Sequence, residues 1–261
     1  MTPADDAQSP TPASDRWALR RMRHDIRRRD CVVETVERLS PGMLRLVFRS
    51  PDLTDFPSAS PDDHVKLMIP GPGGETIMRD YTPRAFDRTA GRLVIDFAVH
   101  DAGPATAWAL AAKVGDTLVI GGPRGSTLLP EAVDWLVVIG DETALPAIGR
   151  RVEESPEGLT ISGLAIVETQ ADVQTFETPA AWSPHWVLRD QVDVDDAAAL
   201  IARLDEVIPK AGEGFFWVAA EARVARALRA HLIEVRGVDP RRIKAAGYWI
   251  RGAEGAHEPI E

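Results

Sequence analysis

Residues 134–150, DWLVVIGDETALPAIGR, set five consecutive apolar side chains, Trp135 to Ile139, directly before a glycine turn and a segment with helical character. A run that short has the length of a buried strand and falls far below the ~18 residues of a membrane span. The same grammar repeats to the end of the chain. Strand-like LTISGLAIVE (159–168) and HWVLRD (185–190) come first, then helical DDAAALIARLDEVI (195–208) and strand-like FFWVAAE (215–221). Amphipathic EARVARALRAHLIEVRG (221–237) and a last strand, RRIKAAGYWI (241–250), complete it. Alternation of this kind predicts a doubly wound α/β domain, a parallel sheet with helices on both faces.

Upstream the pattern differs. CVVETVERL (31–39), MLRLVFRS (43–50), HVKLMIP (64–70), RLVIDFAVH (92–100) and DTLVIGG (116–122) alternate in polarity and are separated by SPG, SPDD, GPGG and DRTAG. Short strands punctuated by turns predict an antiparallel β-barrel or sandwich. One helical segment, PATAWALAA (104–112), interrupts them. The expected division is a disordered tail over 1–15, a β-barrel domain over 16–128 and an α/β domain over 129–261. The basic run Arg20 to Arg29 is expected to be a solvated lead-in to the first strand.

Of the 261 residues 44% are hydrophobic and 27% charged, a globular composition. The net charge of -10 disfavours a nucleic-acid partner, and any anionic ligand needs a local basic patch. A single cysteine, Cys31, excludes a cysteine-ligated iron–sulfur cluster, and the six scattered histidines suggest no metal site. Arg20 and Arg21 are followed by no apolar region of an export signal, so the expected location is cytoplasmic. No G-x-G-x-x-G, P-loop, H-E-x-x-H or G-x-S-x-G motif is present.

Three short stretches carry chemistry. In RDYTPR (79–84), Arg79 and Tyr81 share one face of an extended segment, an arginine able to grip phosphate beside a ring able to stack; a salt-bridged edge strand is the alternative. GPAT (103–106) runs a tight turn into a helix whose start offers free N–H groups to an anion, or is simply a Pro-initiated helix. In GDET (140–143), Thr143 or Asp141 either caps the following helix or meets a ligand at the sheet edge.

RDYTPR, DFAVH (96–100), GPAT, GGPRGS (121–126), GDETALPAIGR (140–150), WVAAEA (217–222) and GYWIRG (247–252), in this order, resemble the siderophore-interacting protein family. These are FAD-containing ferric-siderophore reductases built like ferredoxin reductases, and the resemblance spans residues 30–252. It implies Arg79 on the FAD pyrophosphate, Tyr81 against the flavin and Thr82 near its reactive N5. Tyr81 and Thr82 are thereby the residues closest to catalysis. It also implies that Asp96, Val99 and His100 line the cofactor, that Gly103, Pro104, Ala105 and Thr106 receive its phosphates, and that Thr143 approaches from the second domain. Trp249 would cover the flavin or the chelate, or pack in the core.

Lys66, Arg124 and Arg251 are the implied basic cluster for an anionic ferric siderophore, and Glu221 is placed at a nicotinamide. NAD(P)H or a ferredoxin would be the donor, to a protein expected to be monomeric and to need no metal of its own. Two departures from the family pattern bear on this. Ala220 stands where glycine is usual, narrowing the nicotinamide approach, and Ile250 replaces a second arginine. The rival readings are a flavin reductase for another acceptor and a non-catalytic siderophore-binding protein.

Overall fold

A computed structural model of the chain describes residues 16–99, 103–194, 197–253 and 255–260. The expected tail over 1–15 and the expected cofactor residue His100 lie outside them. Strands β1 (Arg20–Arg23), β2 (Arg28–Ser40), β3 (Met43–Arg49), β4 (Val65–Pro70), β5 (Thr76–Tyr81), β6 (Ala85–Asp87), β7 (Arg92–Ala98), β8 (Thr117–Gly121) and β9 (Gly125–Leu128) form the first unit, with helix α1 (Pro104–Ala111). Seven of them make an antiparallel sheet in the order β5-β4-β8-β2-β3-β7-β6. The alternation read in the sequence turns one face inward: Cys31, Val33, Val65, Leu67, Ile69, Leu93, Ile95 and Phe97 are all buried. The sheet curls on itself, for Tyr81 of β5 and Phe97 of β7 meet with ring centroids 4.5 Å apart, although β5 and β7 are far apart in the sheet order. Burial pushes the Cys31 thiol up to about 12, as befits a core residue.

The basic run is exposed over Arg20–Arg23, which pair as β1 antiparallel to β9. Arg29 alone among its arginines is buried, where its guanidinium donates to the Asp52 and Gly122 carbonyls and to Asp55. An arginine with several fixed acceptors can be buried, which hydropathy does not reveal.

The second unit holds β10 (Trp135–Gly140), α2 (Leu145–Glu153), β11 (Thr160–Val167), β12 (Ala181–Leu188), α3 (Ala198–Ile201), α4 (Leu204–Val207), β13 (Phe215–Glu221), α5 (Ala222–Glu234), β14 (Ile243–Trp249) and β15 (Glu258–Ile260). The sheet order is β12-β11-β10-β13-β14-β15, parallel except for β15. Along β10, Trp135, Val137 and Ile139 face α3, α4 and α5, while Leu136 and Val138 face α2. The long helix expected over 195–208 is instead the two short pieces α3 and α4 among the described residues.

The two units are tied by polar groups. The side chain of Asp62 of the first, only 6% exposed, lies against the second: its carboxylate accepts from Trp217 Nε1 (2.9 Å) and Lys244 Nζ, and Arg151 stands 3.5 Å away. Arg84 makes a two-point ion pair with Glu153 of α2 (2.7 and 2.6 Å), Arg150 donates to Ser58 and the Pro83 carbonyl, and Asp172 accepts from Ser40 and the Gly42 N–H. Burial would raise the Asp62 pKa, but Lys244, Arg151 and Ser60 outweigh it and hold the carboxyl well below its ordinary value.

Asp62→Ala strands two cations in the interface, so it should cost about 3 to 5 kcal/mol, read as a lower denaturant midpoint. In the wild type the Asp62 contribution is fully present above the ordinary carboxylate pKa and is lost as pH falls below it toward the depressed folded value. A variant as stable as the parent at neutral pH would remove Asp62 from this role.

Candidate functional site

On β5 the pairing with β4 sets Arg79 opposite Leu67 and Tyr81 opposite Val65, so both side chains take the inner face, as the two-residue period requires. Asp80 lies opposite Lys66 on the other face. Burial raises the Tyr81 phenol to about 12, against the effects of Thr106 and Arg79. The Tyr81 ring packs on Phe97 of β7, and Thr106 Oγ1 lies 3.5 Å from the Ala98 carbonyl at the end of the same strand, so the end of β5 and the first turn of α1 meet at β7. Thr82 follows and is buried.

At the start of α1 the extended Gly103 serves as N-cap with no side-chain acceptor, and Pro104 occupies the first turn. The first N–H groups of a helix have no acceptor within it. A Cβ added at Gly103 would meet nothing within 4 Å, so this end opens outward. Donors, positive dipole end, guanidinium and aromatic ring thus come together, the set that a dinucleotide's pyrophosphate and flat ring require. The residues fit FAD. Val99 is half-buried nearby, its N–H bonded to the Gly42 carbonyl at 2.8 Å.

Asp96 departs from the expected role. It is buried, forms a two-point ion pair with Arg45 (2.7 Å each) and has Arg84 at 3.7 Å, so its carboxylate is consumed inside the protein instead of facing a cofactor. Arg84, to which the sequence assigns nothing, is the clamp onto α2 described above.

At the edge of the parallel sheet a second cluster is organised by buried Asp141. Its Oδ1 accepts from the Thr143 N–H (3.0 Å) and hydroxyl (2.6 Å); its Oδ2 accepts from the Glu221 N–H (2.9 Å) and Trp249 Nε1 (2.8 Å). Glu221 in turn caps α5 through the N–H groups of Arg223 (2.6 Å) and Val224 (3.3 Å), and accepts from the Arg251 N–H at 3.2 Å. The Arg251 guanidinium lies 5.8 Å from the centre of the Trp249 ring. Thr143, Glu221, Trp249 and Arg251 are therefore one assembly. Beside it Glu142 and Arg189 form a two-point ion pair at 2.7 and 3.0 Å.

Of the basic trio, Lys66 pairs in register with Gly121, three residues before Arg124 in the chain. Lys66 Nζ binds Asp80 at 2.6 Å, and His257 Nδ1 reaches the same carboxylate at 3.3 Å. Arg251 belongs to the other cluster, and the chain that follows it returns to β5. Gly255, at φ +68°, lies so close that a Cβ would stand 2.9 Å from Arg79 Nη1. Glu142, Arg189 and the β5-facing turn were missed in the sequence; charges placed immediately after buried strands are the available signal.

A curled antiparallel sheet with a phosphate-ready helix start, joined to a parallel sheet with a polar crevice at its edge, defines the ferredoxin-reductase-like class. The ferredoxin reductase of carbazole 1,9a-dioxygenase shares this fold at 18% identity, with a TM-score of 0.61 over 84% of this chain and 68% of that one. Within the class, residues 133–252 match the siderophore-interacting protein model, and residues 32–77 and 72–127 the siderophore-interacting FAD-binding domain. The chain belongs to the siderophore-interacting protein family.

An NADPH-dependent ferric-chelate reductase of Escherichia coli is 33% identical over 250 residues, covering 88% of this chain and 95% of its own. The ferric vibriobactin reductase ViuB of Vibrio cholerae is 29% identical over 243 residues, 84% of this chain and 89% of its own. A siderophore utilization protein from T. fusca superposes with a TM-score of 0.83 at 32% identity, over 92% of this chain and 98% of that one.

Asp141→Ala should leave the Glu221 N–H and the Trp249 indole without their acceptor. At ~1 to 3 kcal/mol for each buried unsatisfied group, the expected loss is about 2 to 6 kcal/mol in a urea titration. An unchanged midpoint would show that Asp141 does not hold this edge together.

Proposed function

We propose that this protein is an FAD-dependent reductase of ferric siderophores, drawing electrons from NAD(P)H and releasing the iron as Fe(II). The observation that carries the reading is the meeting of Tyr81 and the start of α1 at the end of β7, with Arg79 on the same face of β5 as Tyr81 and Lys66 on the other face of the strand pair. Bound FAD would supply the chemistry, accepting an electron pair from a nicotinamide and delivering electrons singly to Fe(III).

The chain's own residues position the partners. We assign Arg79 and the N–H groups of Gly103, Ala105 and Thr106, around Pro104, to the pyrophosphate, Tyr81 and Val99 to the flavin's flat surface, and Thr82 to its reactive edge. Thr143 and Trp249 border the flavin from the second unit. Lys66, Arg124 and Arg251 supply positive charge for an anionic chelate on a protein of net charge -10. Ile250 gives this rim one cation fewer than the family pattern. No acid or base is needed for iron reduction itself, and Fe(II) is held more weakly than Fe(III) by hard oxygen ligands.

Among the described residues no helix is long and apolar enough to cross a membrane, and no group of three or more His, Cys, Asp or Glu is arranged to hold a metal. We place the protein in the cytoplasm, as a monomer, with a ferredoxin as the alternative donor.

The purified protein should be yellow, bleach with NADPH or NADH, and reoxidise with a ferric siderophore in the absence of oxygen. Reoxidation no faster than in buffer would refute the assignment, and a colourless protein that binds the chelate would favour a carrier. Arg79→Ala should lose FAD, whereas Lys66→Ala should keep it and raise the KM for an anionic chelate about tenfold, a charge-assisted contact's worth.

A further inference from the structure

Between residues 16 and 30 seven arginines stand against two aspartates, a balance of +5 on a chain whose net charge is -10. Two of the seven are used within the fold: Arg16 binds Glu213, and Arg29 is buried. The other five line one strip of surface. β1 is exposed at all four positions and pairs on one side only, with β9, in a two-stranded sheet apart from the seven-stranded one. Ile26, Arg27 and Arg28 carry the exposed run on to β2, and Asp25 is its one acidic interruption. Arg124, also exposed, joins the strip, because Arg23 pairs with Gly125 and the His24 N–H donates to the Arg124 carbonyl at 3.0 Å. At the other end Arg28 pairs with Gly121, whose second neighbour is Lys66.

Two properties set this strip apart from an ordinary solvated face. Among the described residues the guanidinium groups of Arg21, Arg23 and Arg28 make no hydrogen bond or ion pair, and Arg20 reaches only the largely exposed Glu131, at 3.6 Å. Arg27 alone of the five has a close partner, Asp55. In the functional site, by contrast, Lys66 is held by Asp80 and Arg189 by Glu142. The second property is apolar: Met22 is 42% and Ile26 63% exposed, each set between arginines. A nucleic acid would be met by flat rings that stack on bases. Trp17, the one aromatic residue here besides His24, is instead buried between Arg16 and Arg242, whose guanidinium groups lie 4.7 and 4.9 Å from its ring. Aliphatic side chains among open guanidinium groups match the edge of a lipid bilayer, where phosphates lie just outside the acyl region.

We propose that the strip from Arg20 to Arg28, with Arg124, docks this protein peripherally on an anionic lipid bilayer. The arginines meet headgroup phosphates, and Met22 and Ile26 enter the acyl boundary. Two apolar side chains bury little area, so the attraction is chiefly electrostatic and acts within a Debye length, about 10 Å at 0.1 M salt. The acidic remainder of the chain is repelled by the same surface, which confines contact to the strip. Docking in this orientation sets Lys66 and Arg124 beside the membrane, a consequence for the substrate that rests on the reading of the protein as a chelate reductase; the docking itself does not.

Co-sedimentation of the full chain with vesicles of phosphatidylcholine and phosphatidylglycerol, against pure phosphatidylcholine, tests the proposal. Binding to the mixed vesicles alone is expected, with release at about 1 M salt, where the Debye length falls to about 3 Å. The pair Arg21→Gln and Arg23→Gln should weaken binding about thirtyfold, roughly fivefold for each cation lost. Met22→Ser with Ile26→Ser should weaken it at low salt and leave the salt dependence unchanged. Equal binding to pure phosphatidylcholine, or full affinity in the arginine pair, overturns the docking. Displacement by duplex DNA or polyglutamate, or full affinity in the serine pair, identifies a general polyanion surface and overturns the lipid assignment. Reduction of a soluble ferric chelate without vesicles should be the same in all variants as in the parent; a loss there would assign these side chains to the reductase site instead.

Discussion

The buried carboxylate of Asp62 fixes how the two halves of this protein meet. It leaves the antiparallel unit to lie between Lys244, Arg151 and the Trp217 indole, and a charge in that position is stable only with all of its partners present. Arg84 on Glu153, Arg150 on Ser58 and Asp172 on Ser40 repeat the device around it. An apolar interface of the same extent would hold the units together with less angular definition. Directional bonds at four separate points fix the angle at which the two units meet.

The same logic, applied at smaller scale, separates the fixed from the movable parts of the crevice. Asp141 is saturated, so the end of β10, the turn before α5 and the Trp249 ring form one rigid wall. Glu142, the next residue, faces a single arginine. Adjacent carboxylates thus play opposite parts, set by the number of donors each meets.

Much of the fold is legible in the sequence because burial imposes a period: Cys31 and Val33, or Val65, Leu67 and Ile69, alternate as one-sided strands must, and Trp135 to Ile139 form a continuous run as a strand covered on both faces must. The failures occur where polar groups do structural work. RRMR is exposed, as read, but also pairs as β1, and Arg29 and Asp96 are buried because distant residues satisfy them. No local pattern encodes a partner 51 positions away, as Arg45 is from Asp96. Arg79 and Tyr81 were legible as a shared face, but the contact of Tyr81 with Phe97 beside the start of α1 depends on the sheet curling back on itself.

A net charge of -10 on a protein that must meet anionic ligands leaves a particular electrostatic solution. Lys66 is held by Asp80, and Arg189 by Glu142, each within hydrogen-bond distance. Pairing lowers the free energy of the unliganded state and so weakens binding, but it also keeps each cation oriented and limits nonspecific attraction of polyanions.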